Sequence, residues 1–175
     1  MKKVDSLENR VKIAYLGLGS NLGKKKINLE KAKFFLEVKK IKILKSSNIY
    51  ETESWPNKKF PKYFNLILKI KTKLDPISLY KEIKNVEKML GRKKAPINHP
   101  RVCDIDILDY DGKIISLLHK HEPIKIPHPR LHLRNFVLIP LFELSKNWKH
   151  PKLNVNICKL LSNIGMDNLT TIKII

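Results

Sequence analysis

The sequence predicts a single α+β domain, a mainly antiparallel sheet flanked by helices. Three observations carry that expectation. The chain has 175 residues, 42% of them hydrophobic, which suits one domain with a core of its own. Segments of period-2 polarity alternate with segments of helical spacing in the order β-α-β-β-α-β. No internal repeat or linker-like stretch divides them.

The elements follow in order. Val11 to Leu18 is nearly continuous in apolar residues, as a central strand is. Gly19-Ser-Asn-Leu-Gly23 reads as a turn. Leu29 to Val38 has helical spacing, with Leu29, Ala32, Phe35 and Leu36 on one face. Ile41 to Tyr50 is a second strand, and Glu51 to Pro61 a loop around Trp55. Tyr63 to Lys71 is a third strand, with Phe64, Leu66, Leu68 and Ile70 on one side. Asp75-Pro76 opens a helix, aspartate as N-cap and proline in the first turn, and Gly91 closes it. Arg92 to Pro100 is a basic loop. The Asp104 strand follows, and Asp111-Gly112 predicts a hairpin return at Lys113 to Leu117. Helices are expected near Asn135 to Ser145 and Ile157 to Ile164, with a last strand near Thr170 to Ile174. This order is that of a ferredoxin-like βαββαβ sandwich with an extra hairpin and C-terminal helices. The domain is expected to span residues 1–175, with 1–10 a flexible extension.

The run His99-Pro-Arg-Val-Cys-Asp-Ile-Asp-Ile-Leu-Asp-Tyr110 carries the chemistry. Period 2 puts Asp104 and Asp106 on one strand face and Cys103, Ile105 and Ile107 on the other. Two carboxylates about 7 Å apart on a rigid strand suit a pair of Mg²⁺ ions. Arg101 continues the pattern where a phosphate oxygen would follow the metals. A paired-metal site beside arginine reads as phosphoryl transfer. The alternative is two solvated aspartates.

The net charge of +20 would suit a polyanion partner, but the lysines are spread along the whole chain. Only five of the 36 basic residues are arginine, and four of those five lie between Arg92 and Arg134. Guanidinium gives a bidentate phosphate fork that lysine cannot. His128, between two prolines, begins an alternation with Arg130, His132 and Arg134 that could line an anion site. Tyr63 and Phe136 could stack a flat heterocycle whose edge Asn65 reads. Gly17-Leu-Gly19-Ser-Asn-Leu-Gly23 does not have dinucleotide-fold spacing. Cys103 and Cys158 read as buried, reduced thiols. No segment has the length of a membrane span, and Met1 to Arg10 lacks the apolar stretch of a signal peptide. A cytoplasmic location is expected, with no membrane partner.

These residues resemble a known family, the 6-hydroxymethyl-7,8-dihydropterin pyrophosphokinases of folate biosynthesis. The resemblance runs through Gly19-Ser-Asn-Leu22, Ser47 to Thr52, Tyr63-Phe-Asn65, Glu87 to Arg92, Pro100 to Leu108 and Pro127-His-Pro-Arg-Leu-His132 into Phe136-Val-Leu. It implies an enzyme that moves pyrophosphate from ATP to the pterin hydroxymethyl group and releases AMP. Asp104 and Asp106 would hold two Mg²⁺ ions and, with Arg92 and Arg101, form the catalytic set. Arg92, Arg101, His128, Arg134 and Lys94 would bind the triphosphate, and Glu87 would support nucleotide or loop contacts. Tyr63 and Phe136 would sandwich the pterin. Thr52 and Asn65 would bond its edge, with groups from Glu53 to Trp55. The substrates would be ATP and the reduced pterin, and the chain would act as a monomer. Asn98, His99, Lys94 and Glu53-Ser54 depart from the family pattern, which bears on loop closure over residues 21–24, 52–61 and 91–100. The rival reading is a basic nucleic-acid-binding module using Tyr63 as a stacking platform. It gives no reason for the two strand aspartates, so a nucleic-acid partner is not expected.

Overall fold

A computed structural model describes residues 10–54, 57–93, 95–96, 98–120 and 122–175, and the side chains of these except Met166. Strands β1 (Lys12–Ser20), β2 (Lys42–Ser46), β3 (Tyr50–Thr52), β4 (Tyr63–Thr72) and β5 (Asp104–Tyr110) form the main sheet with the short β8 (Lys173–Ile174). Its order is β5-β1-β4-β3-β8, with β2 also pairing β4, and every pairing is antiparallel. Helices α1 (Lys25–Val38) and α2 (Pro76–Met89) are the crossovers. The strand order is the one the ferredoxin-like reading requires.

Alternation along the strands sends side chains to two different environments. Leu16 and Leu18 of β1, Leu66, Leu68 and Ile70 of β4, and Ile105 and Ile107 of β5 pack against Leu29, Ala32 and Leu36 of α1 and Leu79, Ile83 and Val86 of α2. The other face presents Tyr15, Ile67 and Leu108. Helices α3 (Asn135–Leu144) and α4 (Ile157–Ile164) cover these with Val137, Leu138, Leu141, Ile157 and Leu160. This second helical layer covers only part of its face. The uncovered part carries Gly17, Gly19, Tyr63, Asn65, Asp104 and Asp106, which line one cavity.

α2 begins as its sequence dictates. Asp75 Oδ1 accepts from the amides of Ile77 (2.9 Å) and Ser78 (3.1 Å), with Pro76 in the first turn. Such a cap contributes about 1 kcal/mol. β5 carries an extra residue against β1, between the pairs Leu16↔Ile107 and Tyr15↔Asp109. The bulge resets the alternation, so Asp109 joins the second face and accepts from Trp148 Nε1 at 2.7 Å.

Several expectations need correcting. The second strand is two short strands, β2 and β3, both on β4. Gly19 lies within β1 rather than in a turn. The Asp111-Gly112 turn exists, with φ of 53° and 66°, but the returning β6 (Ile115–His119) does not pair with β5. It pairs with β7 (Glu122–Ile126) in a separate two-stranded sheet, whose Ile124 and Ile126 are buried in the first core. Cys103 is buried, whereas Cys158 is exposed on α4. Residues 1–9 of the expected extension lie outside the described residues.

Candidate active site

The cavity, about 720 Å³, has the open half of the sheet as its floor. β1 supplies Gly17 and Gly19 there, where any side chain would crowd its neighbours. A Cβ on Gly19 would stand 3.0 Å from Asn65 Oδ1 and 3.5 Å from the Tyr63 ring, and one on Gly17 would stand 3.3 Å from Leu108.

At one end β5 presents its two aspartates, and cations surround them unequally. Asp104 Oδ1 pairs with Arg92 Nη1 at 2.5 Å, and its Oδ2 accepts from Arg101 Nη1 at 2.8 Å. Burial alone would raise the Asp104 carboxyl, but Arg92, Arg101 and Lys84 outweigh it and hold it below the usual carboxylate range. Asp106 has only long contacts, Arg134 Nη1 at 3.7 Å and His128 Nε2 at 3.9 Å. Burial and the neighbouring Asp104 charge push its carboxyl upward.

Arg92 is held from behind by Glu87 of α2, which is 3% exposed. Glu87 Oε1 accepts from the Ile105 amide (2.8 Å) and pairs with Arg92 Nη1 (2.5 Å), while Oε2 accepts from Lys84 Nζ (3.0 Å). Glu87 therefore sits behind the wall and fastens α2 and Arg92 to β5, while Lys84 and Arg92 line the cavity. Arg101 is placed by Asn21. Its amide donates to Asn21 Oδ1 at 2.8 Å, and the Asn21 amide donates back to the Arg101 carbonyl at 3.2 Å. Asn21 Nδ2 also lies 3.3 Å from both Ser54 Oγ and the Pro61 carbonyl. One buried asparagine thus joins the three loops that rim the site.

The His128 amide donates to the Leu108 carbonyl of β5 at 3.1 Å. Its Nδ1 accepts from the Arg130 amide at 3.2 Å, which leaves the ring proton on Nε2, toward Asp106. Burial, with Arg134 and Arg130 nearby, lowers its pKa to about 4, so the ring is neutral at pH 7. The alternation expected from 128 to 134 is broken by a 3₁₀ turn over Leu131–Leu133. His128, Arg130 and Arg134 reach the cavity. His132 turns away toward His150, their rings 5.8 Å apart.

Beside this cluster the cavity is aromatic. Tyr63 and Phe136 line it with Thr52, Glu53 and Asn65. Asn65 Nδ2 donates to Thr52 Oγ1 at 2.8 Å, which fixes the amide. Glu53 pairs with Lys62 at 3.3 Å, and Arg134 lies over the Phe136 ring, 5.5 Å from its centroid. Trp55 and Lys94 lie outside the described residues.

The structure therefore brings together Thr52, Glu53, Tyr63, Asn65, Arg92, Arg101, Asp104, Asp106, His128, Arg134 and Phe136. Sequence reasoning missed Lys84, Asn135 and Thr171 on the wall, and the fastening by Asn21. For Lys84 the available signal was its position three residues before Glu87 on one helix face. Chemically, the charged cluster suits a polyphosphate and the neighbouring aromatic pair a flat, polar-edged ring.

The family described as 7,8-dihydro-6-hydroxymethylpterin-pyrophosphokinase (HPPK) matches residues 15–146. A 2-amino-4-hydroxy-6-hydroxymethyldihydropteridine pyrophosphokinase of Aquifex aeolicus is 40% identical over 141 residues, covering 78% of this chain and 82% of that protein. The folic acid synthesis protein fol1 of Pneumocystis carinii is 37% identical over 94% of this chain, which spans only 21% of that longer protein. A crystal structure of a Plasmodium falciparum HPPK-DHPS triple mutant superposes with a TM-score of 0.77 at 20% identity, covering 97% of this chain and 48% of that one. At that identity the superposition speaks to fold.

Proposed function

The chain belongs to the HPPK family, and from that premise we propose that it transfers pyrophosphate from ATP to the hydroxymethyl group of 6-hydroxymethyl-7,8-dihydropterin, releasing AMP, in tetrahydrofolate biosynthesis. One observation carries the reading. The cavity that holds Asp104 and Asp106 among arginines also holds Tyr63, Phe136, Thr52 and Asn65. A triphosphate and a pterin can lie in it side by side.

The pterin hydroxymethyl oxygen attacks the β-phosphorus. The new O–P bond forms as the bond from the β-phosphorus to the oxygen bridging it to the α-phosphorus breaks, the hydroxyl proton passes to solvent, and AMP departs. Little covalent work falls to the protein, so positioning and charge dominate. Arg92, Arg101 and Arg134 bind phosphate oxygens, and neutral His128 donates from Nε2. Tyr63 and Phe136 stack the ring, and Thr52 and Asn65 select its edge.

Mg²⁺ fits the donor set. Two carboxylates on one strand face are hard oxygen donors. Asp106 is only loosely paired. Asp104 and Asp106 would hold two such ions, which would supply positive charge against the phosphate oxygens. The departures at Glu53 and Asn98 fall on the cavity wall, so they bear on how the rim closes. We take the chain to act as a monomer, and both cores share one sheet, which supports a single domain. Among the described residues no helix is long and apolar enough to cross a membrane. We propose a cytoplasmic location.

The test is isothermal titration with a non-hydrolysable ATP analogue, with and without Mg²⁺, followed by the pterin. Mg²⁺-dependent nucleotide binding that strengthens pterin binding supports the reading. Nucleotide binding indifferent to Mg²⁺ contradicts the role given to Asp104 and Asp106.

A further inference from the structure

The family match ends at residue 146, but the cavity wall does not, because Thr171 lies on it. The route by which Thr171 is held runs through Asn135, the first residue of α3. Asn135 Nδ2 donates to the Asn168 carbonyl (2.6 Å) and to Thr171 Oγ1 (2.9 Å). The Thr171 hydroxyl in turn donates to the Asn168 carbonyl at 2.8 Å. On its other side Asn135 Oδ1 accepts from the Phe136 amide at 2.7 Å. One side chain thus joins the C-terminal segment to the residue that carries an aromatic ring of the site.

The same segment then reaches the opposite wall. β8 pairs with β3 through Ile174↔Tyr50 and Lys173↔Glu51, and the Ile175 amide donates to the Ile49 carbonyl at 3.0 Å. β3 ends in Thr52, which is bonded to Asn65. Residues 168–175 therefore bridge the wall bearing Phe136 and the wall bearing Thr52. The aspartates and Arg92 are held separately, by β5 and α2.

We propose that residues 168–175 are a clasp that fixes the width of the aromatic slot, with Thr171 a positioning residue acting on Phe136 through Asn135. This rests on reading Tyr63 and Phe136 as the pterin sandwich. Stacking is sensitive to ring separation and offset, so loosening one wall weakens binding of the flat substrate. Of the phosphate-binding arginines only Arg134, at the start of α3 and over the Phe136 ring, shares this segment, while Arg92 and Arg101 are held elsewhere, so the pterin responds more than the nucleotide.

The test uses the full chain with Thr171→Val, which keeps the shape and removes the hydroxyl, and Thr171→Ser, which restores it. Affinity is measured for a non-hydrolysable ATP analogue and, in its presence, for the pterin, together with steady-state kinetics. Thr171→Val should weaken pterin binding about threefold to tenfold, as loss of one or two hydrogen bonds implies. Its KM for the pterin should rise more than kcat falls, the nucleotide affinity should stay within about twofold, and Thr171→Ser should recover most of the loss. Deleting 173–175 removes β8 without touching Asn135 and should also weaken the pterin selectively, which covers the case of a poorly folding Thr171→Val. Unchanged pterin affinity in both variants, or equal weakening of both substrates, overturns the clasp. A wild-type protein that binds nucleotide but no pterin instead overturns the reading of the aromatic pair.

Discussion

Replacing Glu87 separates its structural and electrostatic work. The carboxylate is 3% exposed and meets three donors, on Ile105, Arg92 and Lys84. Removing one partner of a buried ion pair typically costs about 3–5 kcal/mol. Two features reduce that here. Arg92 keeps its pairing with Asp104, and the Lys84 side chain is 38% exposed and can turn to water. Glu87→Gln also keeps an acceptor for the Ile105 amide, so we expect a loss of about 2–3 kcal/mol. Glu87→Ala leaves that buried amide unpaired, which adds about 1–3 kcal/mol. For a domain of this size each kcal/mol moves Tm by about 2–4 °C. Urea and thermal unfolding of both variants measure the stabilities. Because Arg92 is freed from one of its two anchors, kcat should fall at least about tenfold in Glu87→Gln, as a charge-assisted contact implies, with pterin affinity unchanged. A Glu87→Ala protein within about 0.5 kcal/mol of wild type, the range of an ordinary surface substitution, would refute the role given to this carboxylate.

Other outcomes follow from the same geometry. His128 titrates at about 4 in the fold and near 6.5 unfolded, so the unfolded chain binds the extra proton and stability falls as pH drops between those values. The loss at pH 5 is about 2 kcal/mol, and the difference between wild-type and His128→Asn unfolding curves from pH 7 to 4 isolates it; parallel curves would contradict the buried neutral ring. Gly19→Ala puts a methyl 3.0 Å from Asn65 Oδ1 and should weaken pterin binding by about 1–3 kcal/mol while nucleotide titrations stay near wild type. Arg101→Lys keeps the charge but not the guanidinium fork, which donates to Asp104 and to the His99 carbonyl, and should lower kcat about 10–100-fold. Wild-type turnover in that variant would show that charge alone suffices.

How much of this was legible in the sequence depends on the range over which each feature is determined. Asp104 and Asp106 share a face because of backbone alternation, which is local, and Asp75-Pro76 caps α2 for equally local reasons. The Asp111-Gly112 turn was legible too, but what the returning strand pairs with was not. β6 takes β7 as its partner, and β7 buries Ile124 and Ile126 in the first core, a choice made by tertiary packing rather than by the turn. The wall from His128 to Arg134 was read as a regular alternation, but the 3₁₀ turn at Leu131–Leu133 buries Leu131 and directs His132 elsewhere. Glu87, to which the resemblance gives nucleotide or loop contacts, stands instead behind the cavity wall, because α2 lies with this carboxylate against the Ile105 amide. The roles of Asn21, Asn135 and Thr171 rest on contacts across 33 to 80 positions, which no local pattern encodes.

The central claim is that a pyrophosphoryl group leaves ATP as a unit for the pterin hydroxymethyl oxygen. Incubating the protein with ATP, Mg²⁺ and 6-hydroxymethyl-7,8-dihydropterin, and resolving the nucleotide and pterin products, tests it directly. The account predicts AMP and a pterin carrying two phosphates in equal amounts, both abolished by Asp104→Ala and by Asp106→Ala in proteins that remain folded. Formation of ADP in place of AMP, or turnover retained by both variants, would contradict it.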